Sequence, residues 1–171
     1  MSATDLFFTI AALGRPKELK DFLALPMHKE LVNCVNEQQE NALIQCLHEA
    51  HHVSDVTSLQ RFSECLELLI AHGVNINGAD ADARTAVHWA VQLNLPSLLD
   101  VLVKKGASLD VEDRFGFKPL HLAIHCDVME CVSVLARGCR GKVRRDYMYI
   151  IIMWLYKFSL MVFCLHFYST V

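Results

Sequence analysis

The sequence predicts an all-α solenoid of about four helix pairs, followed by an apolar C-terminal tail. Two observations lead to this fold class. Hydrophobic positions recur at a constant offset of 33 residues through the middle of the chain, a period typical of helical repeat proteins. Within each period, two apolar stripes with helical spacing are separated by residues that end helices. We expect each helix pair to bury its apolar face against the next pair, because one pair alone is too small to form a core.

The offset aligns two complete repeats between residues 64 and 138. Leucines and valines, a glycine, an aspartate, a histidine and an alanine all fall on equivalents one repeat further along. The matches are Leu66 with Leu99 and Val132, Leu69 with Leu102 and Leu135, Gly73 with Gly106, Asp80 with Asp113, Val87 with Leu120, His88 with His121, and Ala90 with Ala123. Because so many residue types share one offset, we interpret the pattern as an internal repeat.

Helix boundaries follow from residues that start or end helices. Residues 85–92 are predicted to form a helix that ends before Asn94, because asparagine tolerates left-handed backbone geometry. Pro96 fits the first turn of a second helix over residues 96–104, where its missing N–H costs nothing. The same reasoning predicts helices at 119–126 and 128–136 in the next repeat.

Residues 85–90 and 118–123 resemble the Thr-Pro-Leu-His-x-Ala motif that opens a helix of the ankyrin repeat. In that family the preceding turn carries Asp and, three residues later, Gly. Asp113 and Gly116 match this turn, whereas Ala83 replaces the glycine in the repeat before. If the position requires positive φ, Ala83 costs about 1 kcal/mol.

The resemblance weakens toward the N-terminus. The first repeat, around Phe8 to Leu23, lacks the motif, and the second is split. Leu43 matches Val87 only across 44 positions, which places an insertion of 11 residues at about 48–61. We therefore assign residues 4–139 to one ankyrin-repeat domain and residues 140–171 to a basic and then hydrophobic tail.

The resemblance also implies a binding surface, because ankyrin repeats usually contact a protein partner through their projecting turns and inner helices. The matching positions are Asp82, Arg84, Gln92 and Leu93 in the third repeat and Arg114, Phe115, Phe117 and His125 in the fourth. Two aromatic side chains exposed on one turn are costly in water and typical of hot spots, which favours Phe115 and Phe117 as anchors. Alternatively, Phe117 packs on its neighbours. The implied function is a protein-interaction adaptor without catalytic activity or cofactor.

Composition narrows the function classes further. The net charge of −3 gives no reason to expect a nucleic-acid partner. The seven cysteines include no CxxC pair, which argues against a zinc ribbon or a thioredoxin-like site. Reduced thiols suggest a cytosolic or nuclear protein.

The tail leaves three interpretations open. Basic residues from Arg140 to Arg145 precede an apolar run of 21 residues, from Tyr147 to Phe167, which is long enough to cross a bilayer. Lys157 near its centre costs about 2.5–3.5 kcal/mol, which makes insertion marginal. The run is a membrane anchor, a cap on the last repeat, or an aberrant isoform end translated from intron sequence. An anchor would make the protein a membrane-tethered adaptor or the N-terminal fragment of a larger ankyrin-bearing membrane protein.

Residues 48–52 satisfy the zinc motif HExxH literally. On one helix, His48 and His52 would share a face and bind zinc, with Glu49 as general base. Here the motif ends a short predicted helix and precedes residues 53–58, which have the composition of a loop. We favour a polar helix end, and a zinc hydrolase remains the alternative.

We expect the purified protein to hold no stoichiometric zinc and to cleave no peptide, because the motif lacks the long buried helix of a zinc protease. Elemental analysis of the purified chain tests this. One tightly held zinc per chain that is lost in a His48→Ala variant, and kept in a His51→Ala control, would contradict the expectation.

Overall fold

The computed structural model describes residues 2–53 and 55–138. Consecutive α-helices in these ranges form four pairs, which confirms the predicted all-α arrangement. The helices are α1 Ala3–Ala12, α2 Pro16–Ala24, α3 Ala42–His51, α4 Val56–Ala71, α5 Ala86–Gln92, α6 Pro96–Lys104, α7 Pro119–His125 and α8 Met129–Gly138, with a short 3₁₀-helix, Pro26–Leu31, after α2. Within residues 2–53 and 55–138, no helix combines the length and the hydropathy that a membrane span requires. The predicted tail, residues 140–171, lies outside the described residues.

The helices stack in two layers. The odd-numbered helices, here called the inner layer, contact one another in chain order, the even-numbered helices do the same, and each helix contacts its partner in the pair. The core between the layers is built largely of fully buried leucines. These are Leu19, Leu43, Leu47, Leu66, Leu69, Leu98, Leu99, Leu102 and Leu135. Because burying one such side chain contributes about 1.5–3 kcal/mol, the contacts between repeats supply much of the stability.

Left-handed residues end three of the inner helices. Asn94 adopts φ 52°, as Gly14 and Asp127 adopt φ 59° and 61° at the ends of α1 and α7. The N–H of Asn94 donates to the carbonyl of Val91 at 3.0 Å, and the chain then turns into α6, which begins with Pro96. The predicted break is confirmed, and the predicted helix limits of the third and fourth repeats are correct to within two residues.

The second pair differs from the prediction. α3 has 10 residues where α5 has 7, and α4 has 16 where α6 has 9, so α3 is longer by about one helical turn and α4 by about two. The loop predicted over residues 53–58 is wrong for residues 56–58. Asp55 caps α4 instead, because its Oδ2 accepts the N–H of Ser58 at 2.8 Å.

Three turns of the same construction precede α3, α5 and α7. They begin at Asn36, Asp80 and Asp113, and in each the side-chain Oδ1 accepts two backbone N–H groups of the turn at 2.9–3.0 Å. The fourth residue of each turn is left-handed. These residues are Gln39 with φ 63°, Ala83 with φ 59° and Gly116 with φ 79°.

We expect Ala83→Gly to raise the free energy of unfolding by about 0.5–1 kcal/mol. Glycine adopts left-handed geometry without the steric cost that alanine has, and this gain exceeds the extra backbone entropy that glycine loses on folding. Gly116→Ala is the matched reverse change and should lower it by a similar amount. A Cβ at Gly116 meets no atom within 4 Å, so the effect reports backbone conformation alone. Urea denaturation measures both, and shifts of the same sign in the two variants would contradict the argument.

Candidate functional site

Five of the eight predicted binding residues lie on two adjacent turns, residues 80–84 and 113–117. The backbone N–H of Arg114 donates to the carbonyl of Asp82 at 2.9 Å, and its guanidinium donates to the Asp82 carboxylate at 2.5 Å. The hydrogen bond to this carboxylate raises the pKa of Arg114. The turns of the third and fourth repeats are thus joined directly, through backbone and side chain.

Cations and rings alternate across these turns. The guanidinium carbon of Arg84 lies 5.3 Å from the ring centroid of Trp89 and 6.0 Å from that of Phe115, and the guanidinium carbon of Arg114 lies 5.3 Å from the Phe115 centroid. The His48 ring meets Trp89 edge-on, with centroids 4.3 Å apart. We call these five residues the cation–aromatic stack. It links three successive repeats. Each contact between a cation and a ring at an exposed site stabilises the fold by about 0.5–1 kcal/mol.

The two predicted anchors differ in exposure. The Phe115 side chain is 61% exposed, and its ring contacts in the stack are the two arginines. Phe117 is 36% exposed and packs edge-on against the His125 ring, with centroids 5.9 Å apart. Phe117 therefore has a packing role within its own repeat, whereas Phe115 presents most of its ring to solvent.

The buried side chain of His88 holds the turn at residues 113–117 in place. Its Nδ1 accepts the N–H of Thr85 at 3.2 Å, so the ring proton is on Nε2, which donates to the carbonyl of Phe117 at 3.1 Å. Burial lowers the pKa of His88, so the ring is neutral near pH 7. The role of His88 is therefore structural. His121, which aligns with it one repeat further along, is exposed, and the residues one repeat beyond Phe117 lie outside the described ranges.

The remaining predicted residues lie at the ends of the inner helices. Gln92 ends α5 and His125 ends α7, at equivalent positions one repeat apart, and both are exposed. Leu93 is half-buried, and its carbonyl accepts a hydrogen bond from Nδ1 of His51 at 3.1 Å. The structure therefore brings Asp82, Arg84, Arg114 and Phe115 together in one cluster and pairs Phe117 with His125, while Gln92 and Leu93 belong to the inner layer beside them.

Two members of the stack were not in the predicted set. Trp89 is fixed because its indole N–H donates to the Asp80 carboxylate at 2.8 Å. His48 places its Nδ1 3.5 Å from Oε1 of Glu40. The 33-residue alignment gives no sign that these two residues belong to the site. Trp89 matches an aliphatic leucine in the next repeat, and His48 matches Gln92 only across the predicted insertion.

The histidines of the HExxH motif do not converge on one point. His48 contacts Glu40 and Trp89, His51 bonds to the carbonyl of Leu93, and His52 is the C-cap of α3. Among the residues that the structure describes, no three His, Cys, Asp or Glu side chains are placed to hold a metal ion. The zinc-free state of the protein stays a prediction.

Comparison with known proteins identifies a matching family model and several similar proteins. A family model described as ankyrin repeats (3 copies) matches residues 8–113 and 54–145. Human NF-kappa-B inhibitor epsilon is 28% identical over 140 residues, which cover 80% of this chain and 27% of the inhibitor. Human cyclin-dependent kinase inhibitor 2A is 40% identical over 79 residues, or 44% of this chain and 51% of the relative.

An enzyme is also among the relatives. Palmitoyltransferase AKR1 of Lachancea kluyveri is 32% identical over 109 residues, or 59% of this chain and 15% of that protein. The chain spans about half or less of the length of each of these three relatives. The helix pairs and the repeated turns that begin with Asn or Asp agree with the family model, which matches most of the chain, so the chain belongs to the ankyrin-repeat family.

Proposed function

We propose that this protein is an adaptor that binds a protein partner through the turns 80–84 and 113–117 and the exposed ends of α5 and α7. Ankyrin repeats support protein interaction as the general function. Two of the relatives are named as inhibitors, of NF-kappa-B and of a cyclin-dependent kinase, and the third is named as a palmitoyltransferase. The proposal assigns binding, with neither a reaction nor a cofactor, to the repeat domain.

The observation that carries the proposal is the exposed ring of Phe115, which lies against two arginines. The turn fixes its backbone, because its N–H donates to Oδ1 of Asp113 at 2.9 Å, and the arginines contact its ring. A side chain that is ordered before binding loses little conformational freedom when a partner covers it. Aromatic residues and arginine are also the types that dominate binding energy at interfaces. Phe115 with Arg114 therefore fits the role of an anchor.

We also propose a cytosolic or nuclear location, which rests on the cysteines. Five described cysteines are free thiols, namely Cys34, Cys46, Cys65, Cys126 and Cys131. Burial raises the pKa of Cys65 to about 12 and that of Cys131 to about 11, so both stay protonated and unreactive at neutral pH. Unpaired thiols of this kind suit a reducing compartment. A membrane-tethered adaptor is the alternative, and it depends on the run from Tyr147 to Phe167.

We expect Phe115→Ala to weaken a partner complex about 30-fold or more, because losing a true anchor costs 2 kcal/mol or more. Phe117→Ala should have a smaller effect, since that ring is partly covered by His125. The partner is recovered by pull-down from cytosol with the full chain, and its affinity for each purified variant is then measured by calorimetry.

The matched control is Leu13→Ala, which removes an apolar side chain that is 52% exposed in the first repeat and should bind as the parent does. Circular dichroism and urea denaturation confirm that each variant is folded. Folded Phe115→Ala and Phe117→Ala variants that both bind the partner as tightly as the parent would exclude this surface.

A further inference from the structure

We infer that the cation–aromatic stack recognises a partner segment in which an acidic side chain lies next to an apolar one, with Arg84 as the residue that selects for the acid. The inference rests on the proposed function, because it names the partner chemistry for the same surface.

All three carboxylates on these turns accept hydrogen bonds from the chain itself, and that of Asp82 does so from the guanidinium of Arg114. Asp80 accepts the N–H groups of Asp82 and Arg84 at Oδ1, both at 2.9 Å, and the indole N–H of Trp89 at Oδ2. Asp113 accepts two N–H groups of its own turn at Oδ1, also at 2.9 Å, and its side chain is only 2% exposed. A carboxylate so engaged or so buried neither pairs well with a partner's cation nor repels a partner's anion strongly.

Residues 80–84 and 113–118 carry three cations, Arg84, Arg114 and Lys118, and three carboxylates, so their formal charges cancel. The most accessible of these charges is nevertheless a cation, because Arg114 is exposed whereas the other five residues are half-buried or buried. The exposed ring of Phe115 lies among these cations. A partner whose carboxylate adjoins an apolar side chain complements both features, since opposite charges favour encounter and the ring buries apolar surface.

Arg84 is the cation with an incomplete set of contacts. Its Nε is buried and has no hydrogen-bond partner in the part of the chain that the structure describes, and it lies 3.9 Å from Oδ2 of Asp113. Arg114, by contrast, is already bonded to Asp82. The guanidinium of Arg84 lies between the rings of Trp89 and Phe115, which orients its plane. Because Nε is buried toward Asp113, a partner's carboxylate would bond to the terminal nitrogens of the guanidinium.

Selection from a random 12-residue peptide library, with the full chain as bait, tests the inference. We expect enriched peptides to carry Asp or Glu beside a large apolar residue. The best-enriched peptide, made synthetically, should bind Arg84→Gln about tenfold or more weakly, which is the scale of one hydrogen bond to a charged group. A copy of the peptide with the acid replaced by its amide should lose about as much with the parent protein.

Two further variants define the contact. Arg84→Lys keeps the charge but lacks the planar fork of donors, so it should also bind more weakly than the parent. Arg137→Gln removes an exposed arginine from α8, changes the net charge equally, and should bind as the parent does. If Arg84→Gln does not fold, Arg84→Lys and the amide peptide decide the outcome.

The result separates this inference from the proposed function. Enriched peptides without an acidic preference, or peptides that bind Arg84→Gln as tightly as the parent while Phe115→Ala abolishes binding, would overturn the inference and leave the proposed function standing. Peptides whose binding depends on neither residue would count against both. A selection that enriches no peptide would overturn the inference.

Discussion

The hydrogen bond from the buried His88 ring to the carbonyl of Phe117 joins a helix of one repeat to the turn of the next, and the candidate site depends on it. The same carbonyl also accepts the N–H of Asp113 at 3.0 Å, which closes the turn on itself. An unsatisfied buried polar group costs about 1–3 kcal/mol, so the arrangement in which both donors meet this carbonyl is strongly preferred. Phe115 lies in the turn that these two hydrogen bonds hold, and it is 61% exposed.

Apolar burial and hydrogen bonds have different roles in the solenoid. The buried leucines stabilise the stack of helices, but apolar contact alone is not directional. Hydrogen bonds along successive repeats supply direction: Asn75 donates its N–H to the Asn33 side chain at 2.8 Å, Ser108 does the same to Asn77 at 2.8 Å, and Arg114 bonds to Asp82. Because each repeat is aligned on the previous one in this way, the turns hold a fixed spacing, and side chains from different repeats form one surface.

Much of the fold could be predicted from the sequence, because the signals are local. Asn94 and Pro96 mark a helix break by their own backbone preferences. The 33-residue offset then places the equivalent helices in the next repeat. The extra helical turns of the second pair were missed, since Asp55 was interpreted as a loop residue although it caps α4. The site was only partly predictable: the turn position of Phe115 indicates its exposure, but the contact of Arg84 with Trp89 and Phe115 depends on how neighbouring repeats pack.

Amide hydrogen exchange in a His88→Leu variant tests this account most directly. Loss of the ring donor should release the turn at 113–117, so the amides of Phe115 and Phe117 should exchange about tenfold faster or more, the effect of losing about 1.4 kcal/mol. The amides of Asp82 and Arg84 in the preceding turn should keep their protection, and His121→Leu, which changes the exposed equivalent, should leave both turns unchanged. Unaltered protection at Phe115 and Phe117, or an equal loss in both turns, would contradict the claim that His88 sets the geometry of the binding surface.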